Sequence, residues 1–485
     1  MSNIYDASKL PPFSLLEEPL LTFNPEDTLL DVNPLRGIIH NGAYSGSIFP
    51  TYTPELRIAT IGPVSGWKNL RQLVDTLRSK QAPRDRKQYV PEFPGFENTF
   101  NVPLVAAKIG EAHIRLPDDL LSFGVEGSPH IRLLNALRIG MQRLALARDH
   151  FDVVLVHLPD HWQSAFRGPD FDVHDTLKAI GAGYSIPTQV INDRVFTFGY
   201  KASLAWRLSI ALYVKAGGIP WKLAPLKGVP ENTAYIGLAY ALRGDPKNSH
   251  YVTCCSQVFD ADGGGMQFVA FEARDPVMDI EDARRNPFLS RNDMRAVLAR
   301  SLALYQSRNG GLLPRRLVIH KTTSFKPEEL EGAMDALSAV REVECVEISS
   351  NAGWRGVWLQ ENRNTSSQRR SEPDGYPVPR GTILQRSGNS AFVWVAGNAP
   401  RAASGGDYYQ GGKSIPRPLN ITRYAAVGPI EVTAFEVLAL TKMDWNNDAL
   451  YDPVPVTIRY SQRLAKTIAN VPSLPGNAYA YRLFM

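Results

Sequence analysis

Residues 174–191 read HDTLKAIGAGYSIPTQVI, and residues 204–221 read LAWRLSIALYVKAGGIPW. The first stretch is a helix that closes on Gly181 and Gly183 and passes at once into a short apolar strand. The second is a longer helix ended by Gly217 and Gly218. Helix, strand, helix in quick succession is the rhythm of a parallel sheet with crossover helices. The rhythm extends upstream. LRIATIGP (56–63) is an apolar strand and WKNLRQLVDTLRSK (67–80) has helical spacing. HIRLLNALRIGMQRLALARDH (130–150) repeats apolar residues three and four apart, and FDVVLVHLPD (151–160) is a buried strand. The expected fold class is therefore α/β, with a Rossmann-like domain over about 55–228. Residues 81–100 read as loop. The proline-rich residues 1–54 read as an irregular segment packing on the domains behind it, with a turn-like RGIIHNGAYSG at 36–46.

Beyond residue 229 the order changes. AYIGLAYAL (234–242), HYVTCCSQVFD (250–260) and MQFVAFEAR (266–274) are three consecutive strands joined by short turns. Then come a long helix at 290–310, strand RRLVIHKTT (315–323), helix KPEELEGAMDALSAV (326–340) and strand ECVEISSN (344–351). Three antiparallel strands followed by helix, strand, helix, strand match the ribonuclease H topology, here over 229–485. Residues 360–415, rich in Ser, Arg, Gly and Pro, read as a loop-dominated insertion with strands inside it, and 438–471 leads into a final helix.

Composition bounds the function. Apolar residues make up 44% and charged residues 21%, the proportions of an ordinary globular protein rather than a fibrous or disordered one. The net charge of +5 permits a nucleic-acid partner without demanding one, so a local basic channel matters more than the sum. Cys254 and Cys255 are adjacent, Cys345 is isolated and no CxxC spacing exists, which argues against a disulfide framework or a zinc site. There is no basic start with an apolar run behind it, and no apolar run of roughly 18 residues, so neither a signal peptide nor a membrane span is expected. The expected location is the cytoplasm.

Four polar side chains of the first domain converge in this reading. His174 and Lys178 lie four apart on one helix face. Gln189 sits on the next strand, and Lys215 ends the next helix. Two ammonium groups, an imidazole and an amide suit a terminal phosphate, which they would hold through charge-assisted hydrogen bonds. The plainer alternative is that both lysines snorkel near helix C-termini and that His174 is an exposed helix residue.

The same residues resemble the MID domain of prokaryotic Argonaute proteins. That family has a lysine four residues after an aromatic or histidine, then a Pro-Thr-Gln strand, then a helix ending in Lys-x-Gly-Gly-Ile-Pro-Trp. The resemblance implies that His174, Lys178, Gln189 and Lys215 grip the 5′-phosphate of a guide strand, with His174 also lining or stacking on the first base. It further implies a Mg²⁺ ion held in part by Gln189 and by the C-terminal carboxylate of Met485. A second lysine of the family, one turn before Lys215, falls on Ala211.

The second half resembles a PIWI domain. YIGLAYAL matches its first strand, LVIHKTTSFKPEEL its fourth strand and following helix, and PVPVTIRYSQRLAKTIA its last active-site helix. The family's metal-binding carboxylates or histidine fall on Ala239, Thr322 and Gln462. Hard divalent ions want carboxylate oxygen, so two-metal cleavage is not expected. Asp245, Asp262, Glu272 and Asp275 read as turn or strand-end residues. His320 and Lys321 are expected to line the guide and target groove, as are LTKMDWNN (440–447) and PVTI (455–458), unless Trp445 simply packs and Asn446-Asn447 simply turns the chain. Arg132, Arg138, Arg143 and Arg148 could track phosphates or form a solvated face. With no room for the N and PAZ domains, the chain resembles a short prokaryotic Argonaute with an inactive PIWI domain. The resemblance implies a sensor for prokaryotic immunity. Its guide would be RNA and its target single-stranded DNA. Its partner would be a separate chain joining an APAZ region to an effector, sirtuin-like or TIR and NAD-hydrolysing, less often a nuclease. An active guide-directed endonuclease and a guide-independent nucleic-acid scaffold are the alternatives.

Overall fold

The structure is a computed structural model. It describes residues 12–84, 87, 89–122, 127–168, 171–243, 251–260, 263–272, 288–362, 370–399, 402, 409, 415–447, 449–471 and 478–485. The chain opens with β1 (Phe13–Leu15), β2 (Leu21–Thr22), β3 (Leu30–Asp31), α1 (Pro34–Asn41) and α2 (Phe49–Tyr52). This segment is more regular than its proline content suggests. Proline opens α1, Asn33 caps it by accepting from the Leu35 and Arg36 amides, and Leu35 and Ile38 are buried. The turn expected at 36–46 is thus mostly helix, and it breaks at Gly42 with φ +81°. Glu18 is buried between Arg380 and Lys442, at 2.9 Å from each, and so ties the segment to the second domain.

The first domain holds β4 (Leu56–Pro63), α3 (Trp67–Arg78), α4 (Phe96–Phe100), β5 (Leu104–Ala106), β6 (His113–Leu116), α5 (Pro129–Leu146) and β7 (Val153–His157). A two-residue hairpin, β8 (Arg167–Gly168) and β9 (Phe171–Asp172), precedes α6 (Val173–Gly183), β10 (Thr188–Ile191), α7 (Asp193–Thr197) and α8 (Lys201–Ala216). β4 pairs in parallel with β5, β6 and β7, and β7 with β10, which is the expected Rossmann-like arrangement. On α3 the buried positions are Leu70, Leu73, Val74 and Leu77, the spacing that marks the helix in the sequence. The stretch 81–100 is not all loop. α4 closes it with Phe96 and Phe100 buried, but five residues are too few to show a period.

After β11 (Lys222–Leu223), which pairs with β2, the second sheet begins. It contains β12 (Thr233–Arg243), β13 (Tyr251–Phe259), β14 (Gly265–Glu272), α9 (Arg291–Arg308), β15 (Arg316–Lys321), α10 (Pro327–Ala336) and β16 (Glu342–Ser349). The insertion carries a separate hairpin, β17 (Val357–Asn362) and β18 (Arg370–Pro377), then β19 (Thr382–Ser387), β20 (Ser390–Val393) and β21 (Leu419–Ala425). Last come α11 (Ile430–Leu440), α12 (Val456–Ala469) and β22 (Ala478–Ala480). Among the described residues the strand order is β1-β19-β20-β21-β16-β15-β12-β13-β14-β22. β12–β14 are antiparallel, while β15 and β16 run parallel to β12, the ribonuclease H topology. Alternate residues of β12 face opposite layers. Ala234, Ile236 and Leu238 join the core under α9 and α10, and Gly237 faces α12.

The sequence does not announce α11. IEVTAFEVLAL is apolar on nearly every face because nearly every face is covered, so no amphipathic period marks it. No helix of the described residues is long and apolar enough to cross a membrane.

Candidate functional site

The basic residues of the first domain meet where that domain touches the second. Asp172 caps α6 by accepting from the His174 and Asp175 amides, which fixes the phase of the helix. His174 and Lys178 then lie on one face of it. β10 runs parallel beside β7, with Gln189 opposite Leu155. Lys215 is the penultimate residue of α8, which Gly217 closes at φ +109°. Gly218 presses on the Tyr213 ring, and a Cβ there would lie 2.4 Å from it. Both glycines of the Lys-Ala-Gly-Gly run are therefore structural requirements.

Lys215 is 2% exposed, and its ammonium donates to the Thr188 carbonyl at 2.9 Å and to Gln189 Oε1 at 2.6 Å. Both partners are neutral. Burial holds Lys215 well below the usual lysine range, and Lys178 and Arg463 push it further the same way. Lys178 donates to the Phe484 carbonyl at 3.0 Å. Burial lowers it to about 8, with Arg463 next in effect, partly offset by Asp175. Burial also lowers His174, at the rim of the cluster; Asp172 opposes that shift and Lys178 adds to it. A cluster of cations with neutral hydrogen-bond partners is costly on its own and well matched to an anion. Beside His174 lies a cavity of about 400 Å³ lined by Gln163, Ser164, Phe166, Arg167, Asp172 and His174.

The seam is fastened by polar contacts. Asp175 on α6 accepts from Thr467 Oγ1 at 2.8 Å and from Asn470 Nδ2 at 2.7 Å, at the end of α12. Ala182 shares an apolar cluster with Leu464, Ala465, Ile468 and Phe484. The Lys178–Phe484 bond brings the chain end, Met485, to the same corner as Gln189 and Lys215. An amide oxygen and a carboxylate are donors that Mg²⁺ accepts, while the Gln189 oxygen here accepts from the Lys215 ammonium at 2.6 Å.

Sequence reasoning misses two cations of this site, Arg463 and Lys466. Arg463 acts on both lysines, and Lys466 on Lys178 and His174. Their signal is present as Arg459, Arg463 and Lys466 at four- and three-residue spacing on α12, a stretch that draws attention only for Gln462.

In the second domain, Gly237 pairs with His320 across β12 and β15. Ala239 and Thr322, each two residues further on, lie at the same end of adjacent strands. Gln462 projects from α12, exposed. None carries a charge. Among the described residues no three His, Cys, Asp or Glu side chains form a metal-holding group. Asp245, Asp262 and Asp275 lie outside the described residues, and Glu272 is the last residue of β14.

The expectation that His320 and Lys321 line a groove is corrected. Both are wholly buried. His320 Nδ1 lies 2.8 Å from Thr457 Oγ1, and burial pushes its pKa down to about 3, so it is neutral. Lys321 donates to both carboxylate oxygens of Glu329, at 2.8 and 2.6 Å. They sit near the end of a central strand, where both faces are covered. Trp445 packs, 3% exposed with its ring 5.7 Å from Tyr481. Arg132 and Arg148 are spent on backbone carbonyls of Leu120, Ser122 and Phe151, while Arg138 and Arg143 face solvent.

No family model and no curated protein matches this chain in sequence. Solved structures match in shape. A Clostridium butyricum Argonaute bound to a guide DNA and a 19-mer target DNA aligns at TM-score 0.65 and 16% identity, over 98% of this chain and 55% of that one. Drosophila Piwi aligns at 0.61 and 14%, over 97% and 55%. Aa-Ago with externally bound siRNA aligns at 0.58 and 13%, over 98% and 56%. The chain spans about half the length of these proteins. Its fold is that of the Argonaute MID and PIWI domains.

Proposed function

We propose that the chain is a guide-strand-dependent nucleic-acid sensor that holds the 5′-phosphate of its guide among His174, Lys178, Gln189 and Lys215. One observation carries this reading. Lys215 is buried beside Lys178 and Arg463, and its hydrogen-bond partners among the described residues are an amide oxygen and a carbonyl rather than a carboxylate. The structural neighbours support it, since two of them were solved with guide, target or siRNA strands. When bound, Mg²⁺ on Gln189 and the Met485 carboxylate would add positive charge to neutralise the phosphate. His174 would line the first base. The guide, RNA in this reading, pairs with single-stranded DNA, and pairing supplies sequence specificity while the protein holds backbone and shape.

The chain does not itself cut in this proposal, because Ala239, Thr322 and Gln462 offer no carboxylate for two metal ions. Output then requires a second chain, an APAZ-bearing effector that depletes NAD⁺ when the target pairs. The test of the site is direct. Affinity is measured for one oligonucleotide with a 5′-phosphate and for the same one with a 5′-hydroxyl. Tighter binding of the phosphorylated strand is expected, weakening as salt rises. Equal binding of the two sinks the proposal.

A further inference from the structure

We infer that the cavity between α3 and the start of α8 takes one unpaired nucleobase of a single-stranded nucleic acid, while neighbouring bases stack on Phe198 and Tyr200. This site is separate from the strand-end site, because Lys201 opens α8 and Lys215 nearly closes it, about 21 Å of helix apart. The cavity measures about 420 Å³, within the range of small-ligand pockets. Its polar wall comes from α3. Asn69, Gln72 and Thr76 recur at three- and four-residue spacing, share one face of the helix and line the cavity. The Thr76 hydroxyl is spent on the Gln72 carbonyl at 2.8 Å. The side-chain amides of Asn69 and Gln72 have no hydrogen-bond partner among the described residues. An amide presents a donor beside an acceptor, the pattern that a base edge answers. Asp75 lines the cavity too, and pairs with Arg78 at 3.4 Å. On the opposite wall stand Phe196, half-buried, and Lys201. The Lys201 ammonium gives one bond to the Phe196 carbonyl, at 3.1 Å, and with three donors has capacity for a phosphate oxygen. Between these two residues the chain turns outward. Phe198 and Tyr200, separated by Gly199, are 40% and 42% exposed with ring centroids 5.6 Å apart. Arg84 Nη1 comes within 4.0 Å of where a Cβ on Gly199 would lie. Arg84 and Arg194 are exposed, and neither side chain has a partner among the described residues. Exposed rings alone would suit a protein partner equally well. Rings with unpaired guanidinium groups beside them and amides next door match a row of bases and phosphates.

The test uses the full chain and a labelled DNA oligonucleotide of mixed sequence, as 5′-phosphorylated and 5′-hydroxyl single strands and as a 5′-hydroxyl duplex. Phe198→Ala combined with Tyr200→Ala is expected to weaken both single strands by roughly tenfold, the scale of a lost base stack, and to leave the ratio between them unchanged. The duplex, whose bases already stack on one another, should be little affected. Phe198→Tyr with Tyr200→Phe keeps both ring faces and is expected to bind like the unaltered chain. Strands carrying 5-iodouracil are expected to cross-link to Phe196, Phe198 or Tyr200 under ultraviolet light. Thermal melts of the variants check folding. Unchanged single-strand affinity in the double alanine variant, an equal loss for the duplex, or no cross-link at these rings overturns the inference. Displacement of the strand by adenosine monophosphate at comparable affinity would make this a mononucleotide pocket and overturn the assignment to a strand. A chain with no preference for the 5′-phosphate sinks the strand-end site instead and leaves this one standing.

Discussion

At the scale of single residues, the site is a balance between desolvation and charge. Lys215 gives up water for two neutral oxygens, an unfavourable exchange that the proposed phosphate would offset. Replacing it with Met removes the charge while keeping much of the volume. Lys215→Met is expected to cost about 1.5–3 kcal/mol of 5′-phosphate binding, the worth of a charged hydrogen bond, measured as the difference between phosphorylated and hydroxyl strands. Lys178 sets a pH dependence. Its pKa is lowered to about 8 by burial, and only the protonated form attracts phosphate. Affinity for the phosphorylated strand should therefore fall as pH rises through about 8. The stability of the free protein should move the other way. The unfolded lysine titrates near its ordinary value and so binds more protons than the folded one above about 8, which makes this group's contribution rise with pH from there up to the unfolded value. Melting temperature and binding isotherms over the same pH series would test both signs.

Among the elements, α12 is the part that links the two halves. It packs on β12 so closely that a Cβ at Gly237 would lie 2.1 Å from the Thr457 carbonyl. Gly237→Ala must push the helix away, and an overpacking cost of about 1–3 kcal/mol or more is expected in urea unfolding. Since α12 also carries Arg463 and meets α6, that displacement should weaken phosphate selectivity as well. A variant that lost stability but kept full selectivity would argue that α12 and the phosphate site are independent. The N-terminal segment depends on the second domain in a similar way. Glu18→Gln leaves Arg380 and Lys442 buried without their shared carboxylate, and about 3–5 kcal/mol of destabilisation is expected.

Taken as a whole, the molecule holds a buried cluster of cations at one seam, proposed above as the strand-end site, and neutral side chains at Ala239, Thr322 and Gln462. Incubating the guide-loaded chain with labelled target and Mg²⁺ or Mn²⁺ is expected to leave the target intact. Guide-directed cleavage there, abolished by altering one of its own carboxylates, would overturn the reading of an inactive sensor and favour the nuclease alternative. With the proposed effector chain added, NAD⁺ loss is expected only when guide and matching target are both present.

The sequence alone determined the two α/β layers and their order, because helices and strands of ordinary length leave periods of 3.6 and 2 in the chain. It also pointed to His174, Lys178, Gln189 and Lys215, since two sit one turn apart, one lies on the next strand and one closes the next helix. It carried no sign of α4 or α11, one too short and one too evenly buried to show a period. It misplaced His320 and Lys321, because polarity in a strand does not say whether a buried Glu329 or Thr457 waits across the fold. Only the tertiary structure brought Arg463 beside two lysines hundreds of residues earlier in the chain. Local patterns record what a segment is, and long-range packing decides what it faces.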